Sequence, residues 1–266
     1  MKELALALAA QAPDPAGRAN LLREYLQAMA LRSLHEAGAF NSLSFVGGTS
    51  LRFLFELARF SEDLDFSVED PVDFTPREWQ ARLRRDLLRQ GFEAEVSWND
   101  SRIVHVGWVR VSSLLREAGA SGHPDQKLSI KLEVDTRPPA GAVCGRTVVQ
   151  RHAFLPLRHH DLPSLMAGKL HAVATRDYTK GRDWYDLVWY LSRRPAVTPN
   201  QQLLRNALAQ TGHANPDLPW KDLLHHAILE TDMDSARRDV IRFLERPEDA
   251  ELITRENLLS LLDRAG

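Results

Sequence analysis

Hydrophobic positions recur with two different periods along this chain, and the change from one to the other divides it. Up to about residue 155, short apolar or alternating runs of the kind that suit strands are interleaved with stretches of helical period. Asn20 to Gly38 carries Leu21, Leu22, Tyr25, Leu26, Met29 and Leu31 at helical spacing. Leu43-Ser44-Phe45-Val46 predicts a short buried strand, Leu51 to Ala58 a helix with Leu51, Phe55 and Ala58 on one side, and Ser61 to Val68 a second strand. Pro76 to Arg89 predicts a helix, with proline at its start and Gly91 just past its end. Phe92 to Trp98 and Ile103 to Val109 predict strands joined by a turn at Asn99-Asp100-Ser101. Leu128 to Thr136 predicts another strand, and Thr147 to Ala153 one more. From Asp161 onward the pattern is helical throughout. The expected architecture is α+β: a mixed β-sheet flanked by helices over residues 1–155, then a helical C-terminal half over residues 156–266, with a cleft between them. Pro138 to Gly141 is expected to be a loop, and Pro156 to Pro163 to mark the boundary.

Polar residues inside the first strands introduce the chemistry. Gly47-Gly48-Thr49-Ser50 stands between the first strand and the following helix. Glycines let a backbone approach a phosphate closely, and a helix N-terminus offers unpaired N–H groups and a positive dipole end. In the next strand Asp63 and Asp65 share one face while Leu64, Phe66 and Val68 share the other. A Gly-Gly pair alone is most often a tight turn, and an Asp-x-Asp alone a solvated strand face. In the order strand, Gly-Gly-Thr-Ser, helix, strand, they form a set suited to Mg²⁺-dependent phosphoryl or nucleotidyl transfer. A second acidic strand follows. Leu128, Ile130, Leu132 and Val134 face one side, and Lys131, Glu133 and Asp135 the other, as in a strand with one wet face or one that adds a carboxylate to the first pair.

The helix from Leu162 to about Arg176 carries an anomaly of a different kind. Leu162, Leu165, Met166, Leu170 and Val173 form an apolar stripe, with Lys169 in its middle and Arg176 on the same side two turns later. A lysine on a core-facing stripe either snorkels to water or points its charge into a polar cleft, where a triphosphate is the natural target. Arg182-Asp183-Trp184-Tyr185-Asp186 opens the next helix, and periodicity does not choose between its two aspartates.

These segments together resemble the polymerase-beta-type nucleotidyltransferases, and within them the AbiEii/AbiGii toxin family. The resemblance lies in Gly47-Gly48-Thr49 followed by Arg59-Phe60-Ser61-Glu62-Asp63-Leu64-Asp65-Phe66 as a first motif, and in Lys131 to Asp135 as a second. Lys169-Leu170 matches a third and Asp183 to Asp186 a fourth, and from Phe45 to Leu191 the match covers a little over half the chain. It implies a nucleotidyltransferase-type fold in which Asp63, Asp65 and one of Glu133 and Asp135 hold Mg²⁺ (or Mn²⁺). Gly47, Gly48, Thr49 and Ser50 would cradle the triphosphate of an NTP, with Arg176 and Asp186 supporting nucleotide binding. Lys169 would offset phosphate charge as pyrophosphate leaves. Asp183 would position or deprotonate the acceptor, or order Lys169, with Asp186 secondary. The family also implies a toxin that modifies tRNA 3′ ends and is paired with an antitoxin protein. The motifs alone leave three alternatives: a small-molecule or protein acceptor, a metal-dependent nuclease, and a non-enzymatic interaction protein.

Composition narrows the setting. With 266 residues, 44% hydrophobic and 26% charged, the chain can bury a core as an ordinary globular protein does. A formal charge of −2 gives no global attraction to nucleic acid, so any such contact must be a local patch. Arg82, Arg85 and Arg89 on one helix face are one candidate, and a solvated helix face is the alternative. Cys144 is the only cysteine, which excludes an intramolecular disulfide and a cysteine-based zinc site and fits a cytoplasmic protein. The pairs His159-His160 and His225-His226 lack metal-ligand spacing and are expected at the surface, while Thr179, Lys180 and Gly181 form a loop within reach of a nucleotide. No run of roughly 18 or more apolar residues is present, so no membrane span is expected. Met1 to Ala12 faintly resembles a signal peptide, but Glu3 breaks its charge pattern and the segment is expected to start a helix.

Overall fold

A computed structural model of the chain describes residues 1–265. The chain is an α+β protein of two compact units. The first comprises residues 1–54, 60–137 and 146–159; the second comprises residues 55–59, 138–145 and 160–266.

The first unit is built on a sheet of strands β1 (Leu43–Val46), β2 (Leu64–Val68), β3 (Ala94–Asn99), β4 (Val104–Val111), β5 (Leu128–Asp135), β6 (Cys144–Arg151) and β7 (Ala153–His160), in the order β3-β4-β5-β2-β1-β7-β6. Its helices are α1 (Lys2–Ala9), α2 (Pro15–Glu36), α3 (Gly47–Phe55), α4 (Pro76–Arg89) and the single turn α5 (Leu114–Glu117). Central strand β2 runs antiparallel to β1 and parallel to β5. Alternation then sorts the side chains. Phe45, Leu64, Phe66, Val68, Leu128, Ile130, Leu132 and Val134 are buried in one core with Leu22, Leu26 and Met29 of α2 and Trp79, Leu83 and Leu87 of α4. Gly107 keeps this face flat: a Cβ there would stand 2.8 Å from the Trp98 ring on the neighbouring strand. The opposite face carries the acidic positions.

Several boundaries shift from the sequence pattern. The second strand begins at Leu64 rather than Ser61, so Asp63 lies just ahead of it. Helix α3 begins at Gly47 itself and ends at Phe55, so the glycines form its first turn rather than a loop before it. The expected strand from Thr147 is two strands, β6 and β7; Pro156 to His160 continue β7, and the last division between the two units falls at residues 159/160, inside the expected Pro156 to Pro163 stretch.

The second unit is helical: α6 (Leu162–Thr175), α7 (Gly181–Ser192), α8 (Gln201–Gln210), α9 (Trp220–Glu230), α10 (Met233–Val240) and α11 (Arg255–Arg264). Side chains of Asp161, Asn200, Asp232 and Thr254 cap the N-termini of α6, α8, α10 and α11 by accepting backbone N–H bonds. Residues 55–59 are stitched into this unit, because Arg59 bridges to Leu244 and the Glu245 N–H donates to the Ala58 carbonyl at 3.4 Å.

Candidate active site

In the first unit the register of β2 against β5 decides which acidic residues meet. Asp65 pairs with Glu133, and Ser67 with Asp135. Neighbouring strands lie about 4.8 Å apart, so Asp65 and Glu133 stand side by side on the open face. Asp135 lies a full pleat repeat further along, and its carboxylate accepts the Arg137 N–H at 2.9 Å. Lys131 Nζ meets Glu133 Oε1 at 2.7 Å. Burial alone would lower the Lys131 pKa, but the hydrogen bond and charge of Glu133, with the charges of Asp63 and Asp65, overcome it and leave the pKa raised. The acidic face thus concentrates enough negative potential to hold an ammonium.

The glycine turn abuts this face. Gly47 has a φ of 76°, and a Cβ there would stand 2.1 Å from Asp65 Oδ2. Only glycine lets the start of α3 and the Asp65 carboxylate approach so closely. The Thr49 hydroxyl donates to the Asp63 carbonyl, and the Ser50 hydroxyl donates to the Gly47 carbonyl at 2.8 Å. Both hydroxyls therefore brace the turn. The groups it offers an anion are the first backbone N–H groups of α3. The residues fit a hard divalent cation: the donors are carboxylate oxygens on adjacent strands beside a turn with no room for a side chain.

In the second unit the anomalous lysine does not snorkel. Lys169 Nζ lies 2.9 Å from Asp183 Oδ1 and 2.7 Å from Asp186 Oδ2, with only 12% of its side chain exposed. Asp186 is fully buried and receives a two-pronged contact from Arg59, Nε and Nη2 each at 2.6 Å. Arg176 pairs with the second oxygen of Asp183. Burial would raise the Asp186 pKa, but the Arg59 guanidinium and the Lys169 ammonium hold it below the usual range. For Lys169, burial is the dominant influence, and with Arg59 and Arg176 nearby it lowers the pKa against the pull of Asp186. Three cations thus converge on Asp183 and Asp186.

Arg59 is the member that the sequence reading missed. It lies four residues before Asp63 and 127 before Asp186, and no local pattern links it to the latter. Of the loop before α7, Gly181 is enclosed, its N–H donating to Asp239 Oδ2 at 2.8 Å and its backbone packed on the Ala236 carbonyl, while Thr179 and Lys180 stay half-exposed. His159 and His160 are buried, not at the surface; His159 Nε2 hydrogen-bonds with Thr147 Oγ1 at 2.9 Å. His225 and His226 are exposed as expected.

A mixed sheet with a glycine-started helix, a carboxylate pair and a helical second unit is the build of a nucleotidyltransferase. The family model for the AbiEii nucleotidyl transferase toxins of type IV toxin–antitoxin systems matches residues 30–255, and the chain belongs to that family. Among solved structures, MenT4, a nucleotidyltransferase toxin from Mycobacterium tuberculosis, is similar over 99% of this chain and 90% of its own, at 20% identity and a TM-score of 0.58. A putative nucleotidyltransferase from H. pylori matches over 91% of this chain and 97% of its own, at 19% identity and a TM-score of 0.49. At such identity the MenT4 likeness speaks for the fold. No curated protein matches the chain in sequence. No helix among the described residues is long and apolar enough to cross a membrane.

Proposed function

We propose that the chain transfers a nucleoside monophosphate from an NTP to an acceptor hydroxyl, with Mg²⁺ or Mn²⁺ held by Asp63, Asp65 and Glu133, and that the acceptor is a tRNA 3′ end. The observation that carries this reading is the position of Asp65, in register with Glu133 on one side and pressed against Gly47 on the other. It joins a hard-cation donor set to a helix N-terminus. A divalent cation bound there supplies Lewis-acid stabilisation of the α-phosphoryl oxygens and lowers the pKa of the attacking hydroxyl.

The acceptor oxygen attacks the α-phosphorus. The bond from that phosphorus to the bridging oxygen breaks, and pyrophosphate leaves with the electron pair. The hydroxyl proton passes to a carboxylate of the open face and then to solvent. Backbone N–H groups at the start of α3 hold the departing oxygens. Lys169 is the cation assigned to the triphosphate, with Arg176 beside it. Asp183 already receives both of these cations, which supports its role in ordering Lys169 over that of a base. Asp186 fixes Lys169 from its other side.

Family membership supports a toxin. Capping tRNA 3′ ends would block aminoacylation and stop growth, and a cognate antitoxin is the expected partner. The test is incubation with each radiolabelled NTP and total RNA, with and without chelator. Metal-dependent label in the tRNA band is expected, and one NTP should dominate. Label in protein or a small molecule would overturn the acceptor. RNA scission without added nucleotide would overturn the transfer itself.

A further inference from the structure

In the first unit, where the N-terminal part of α2, the α5 turn and the start of β5 meet, a cavity of about 310 Å³ is bordered by Glu62 and Asp63. Its working residues are Arg23 of α2, Trp108 of β4, and Lys127, Ser129 and Lys131 at the start of β5. Trp108 pairs directly with Lys131 across the strands, and the Arg110 guanidinium lies 5.0 Å from its ring centroid. Lys127 Nζ meets Glu95 at 2.8 Å, which holds the ammonium at the pocket's edge.

The sheet order gives this cavity a meaning. Strand β2 lies between β1, which leads into the glycine turn, and β5, which borders the cavity. The Asp63/Asp65 pair therefore has the glycine turn on one side and the Trp108 cavity on the other. In-line displacement at phosphorus requires the attacking and leaving oxygens on opposite sides of the reacting atom. If pyrophosphate leaves toward the start of α3, the acceptor hydroxyl must arrive from the Trp108 side.

We propose that this cavity is the acceptor subsite, and that it holds the 3′-terminal nucleotide of a single-stranded RNA. The terminal base stacks on Trp108, and the backbone phosphates meet Arg23 and Lys127. An aromatic ring flanked by cations is the pairing that single-stranded nucleic acid requires, because every base offers a π-face and every linkage a negative charge. The Arg82/Arg85/Arg89 stripe does not serve here: the residues lining the cavity include none of α4, and Arg82 is taken by Glu36 and Asp86. The inference rests on the transferase reading of Asp63 and Asp65, and the choice of RNA rests on the tRNA reading.

The test separates the two. A fluorescently labelled single-stranded RNA oligonucleotide with a free 3′ end is titrated with the full chain, without NTP or metal. Trp108→Ala should raise its Kd about ten-fold or more, and Trp108→Phe should retain most of the affinity. Arg23→Gln and Lys127→Gln should each flatten the salt dependence by about 0.7 in log–log slope. An unchanged Kd in Trp108→Ala would overturn the proposal. So would equal affinity for a duplex without a single-stranded end, and equal affinity for the DNA oligonucleotide would overturn the choice of RNA. In the transfer assay Trp108→Ala should raise the acceptor KM more than it lowers kcat. An unaltered acceptor KM sinks the pocket alone, whereas absence of any NTP-derived label with wild-type protein, oligonucleotide binding being intact, sinks the transferase reading alone.

Discussion

Asp65 and Glu133 stand half-buried on an open sheet face with Lys131 paired to Glu133, whereas Asp183 and Asp186 are buried with Lys169, Arg59 and Arg176 held against them. Both regions place two carboxylates among cations, yet they are built for different tasks. On the open face the charges of Glu133, Asp63 and Asp65 raise the Lys131 pKa, and that potential is open to an exchangeable cation. In the helical unit the cations are part of the chain and cannot leave, so the network is fixed before any ligand arrives. The lesson is that an acidic residue beside a lysine is not by itself a structural ion pair. What separates the two cases is burial.

Removing carboxylates tests the contrast most strongly. Asp65→Ala should cut transfer by roughly a thousand-fold or more, because the remaining oxygens are too few to hold the metal. Its melting temperature should stay level or rise, since like-charge repulsion is relieved. Near-normal turnover would remove Asp65 from the metal site. Asp186→Ala should behave in the opposite way, strongly lowering stability, because it leaves Arg59 and Lys169 buried without their anion. A loss of about 3–5 kcal/mol in chemical denaturation is expected. A melting temperature equal to that of the wild type would show that the network is dispensable to the fold.

Lys169→Met lies between these extremes. Asp183 keeps Arg176 and Asp186 keeps Arg59, so the expected loss of stability is about 1–3 kcal/mol. Turnover should fall steeply, and the thermal stabilisation by NTP and metal should shrink, since that shift follows affinity. Lys169→Arg should recover only part, because a planar fork does not replace a compact ammonium. Wild-type turnover with an unchanged nucleotide-induced shift would take this residue out of the site.

A third cluster, in the first unit, offers a purely structural control. Buried Glu24 pairs with Arg52, Arg151 and His152. Burial would raise its pKa, but the His152 hydrogen bond and the two arginines hold it at about 2, against an ordinary value of 4.5. Because the folded pKa is depressed, the stabilisation is complete above the ordinary value and is lost as pH falls from there toward the folded value. The shift corresponds to about 3 kcal/mol. Glu24→Gln should therefore flatten the acid limb of a stability–pH curve without altering the metal dependence of transfer. An acid limb identical to that of the wild type would dissociate the cluster from acid sensitivity. The smallest effect belongs to Arg85→Glu combined with Arg89→Glu. These exposed residues lie on α4, away from the open face, so acceptor affinity and its salt slope should not change. A clear drop in either would restore the arginine stripe as an RNA contact.

Much of the fold was legible in the chain itself. The α4 boundaries, the alternation that puts Glu133 and Asp65 on polar faces, and the run of helices after Asp161 all follow from periodicities that are local by nature. The Lys169 anomaly was also visible, because a charge inside an apolar stripe needs an explanation wherever the helix packs. Other features required the assembled protein. Glu133 rather than Asp135 stands beside Asp65 because of the β2–β5 register, which is set by pairing between distant segments. Arg59 meets Asp186 across 127 residues, and Thr49 and Ser50 spend their hydroxyls on backbone carbonyls that only the folded turn brings near. His159 and His160 are buried because β7 pairs beside β1, which a run of polar letters does not reveal. Local sequence determined which residue types were available and which way each strand or helix would present them. The tertiary structure decided which of them became neighbours, because register, burial and charge balance are properties of contacts between segments, not of any one segment.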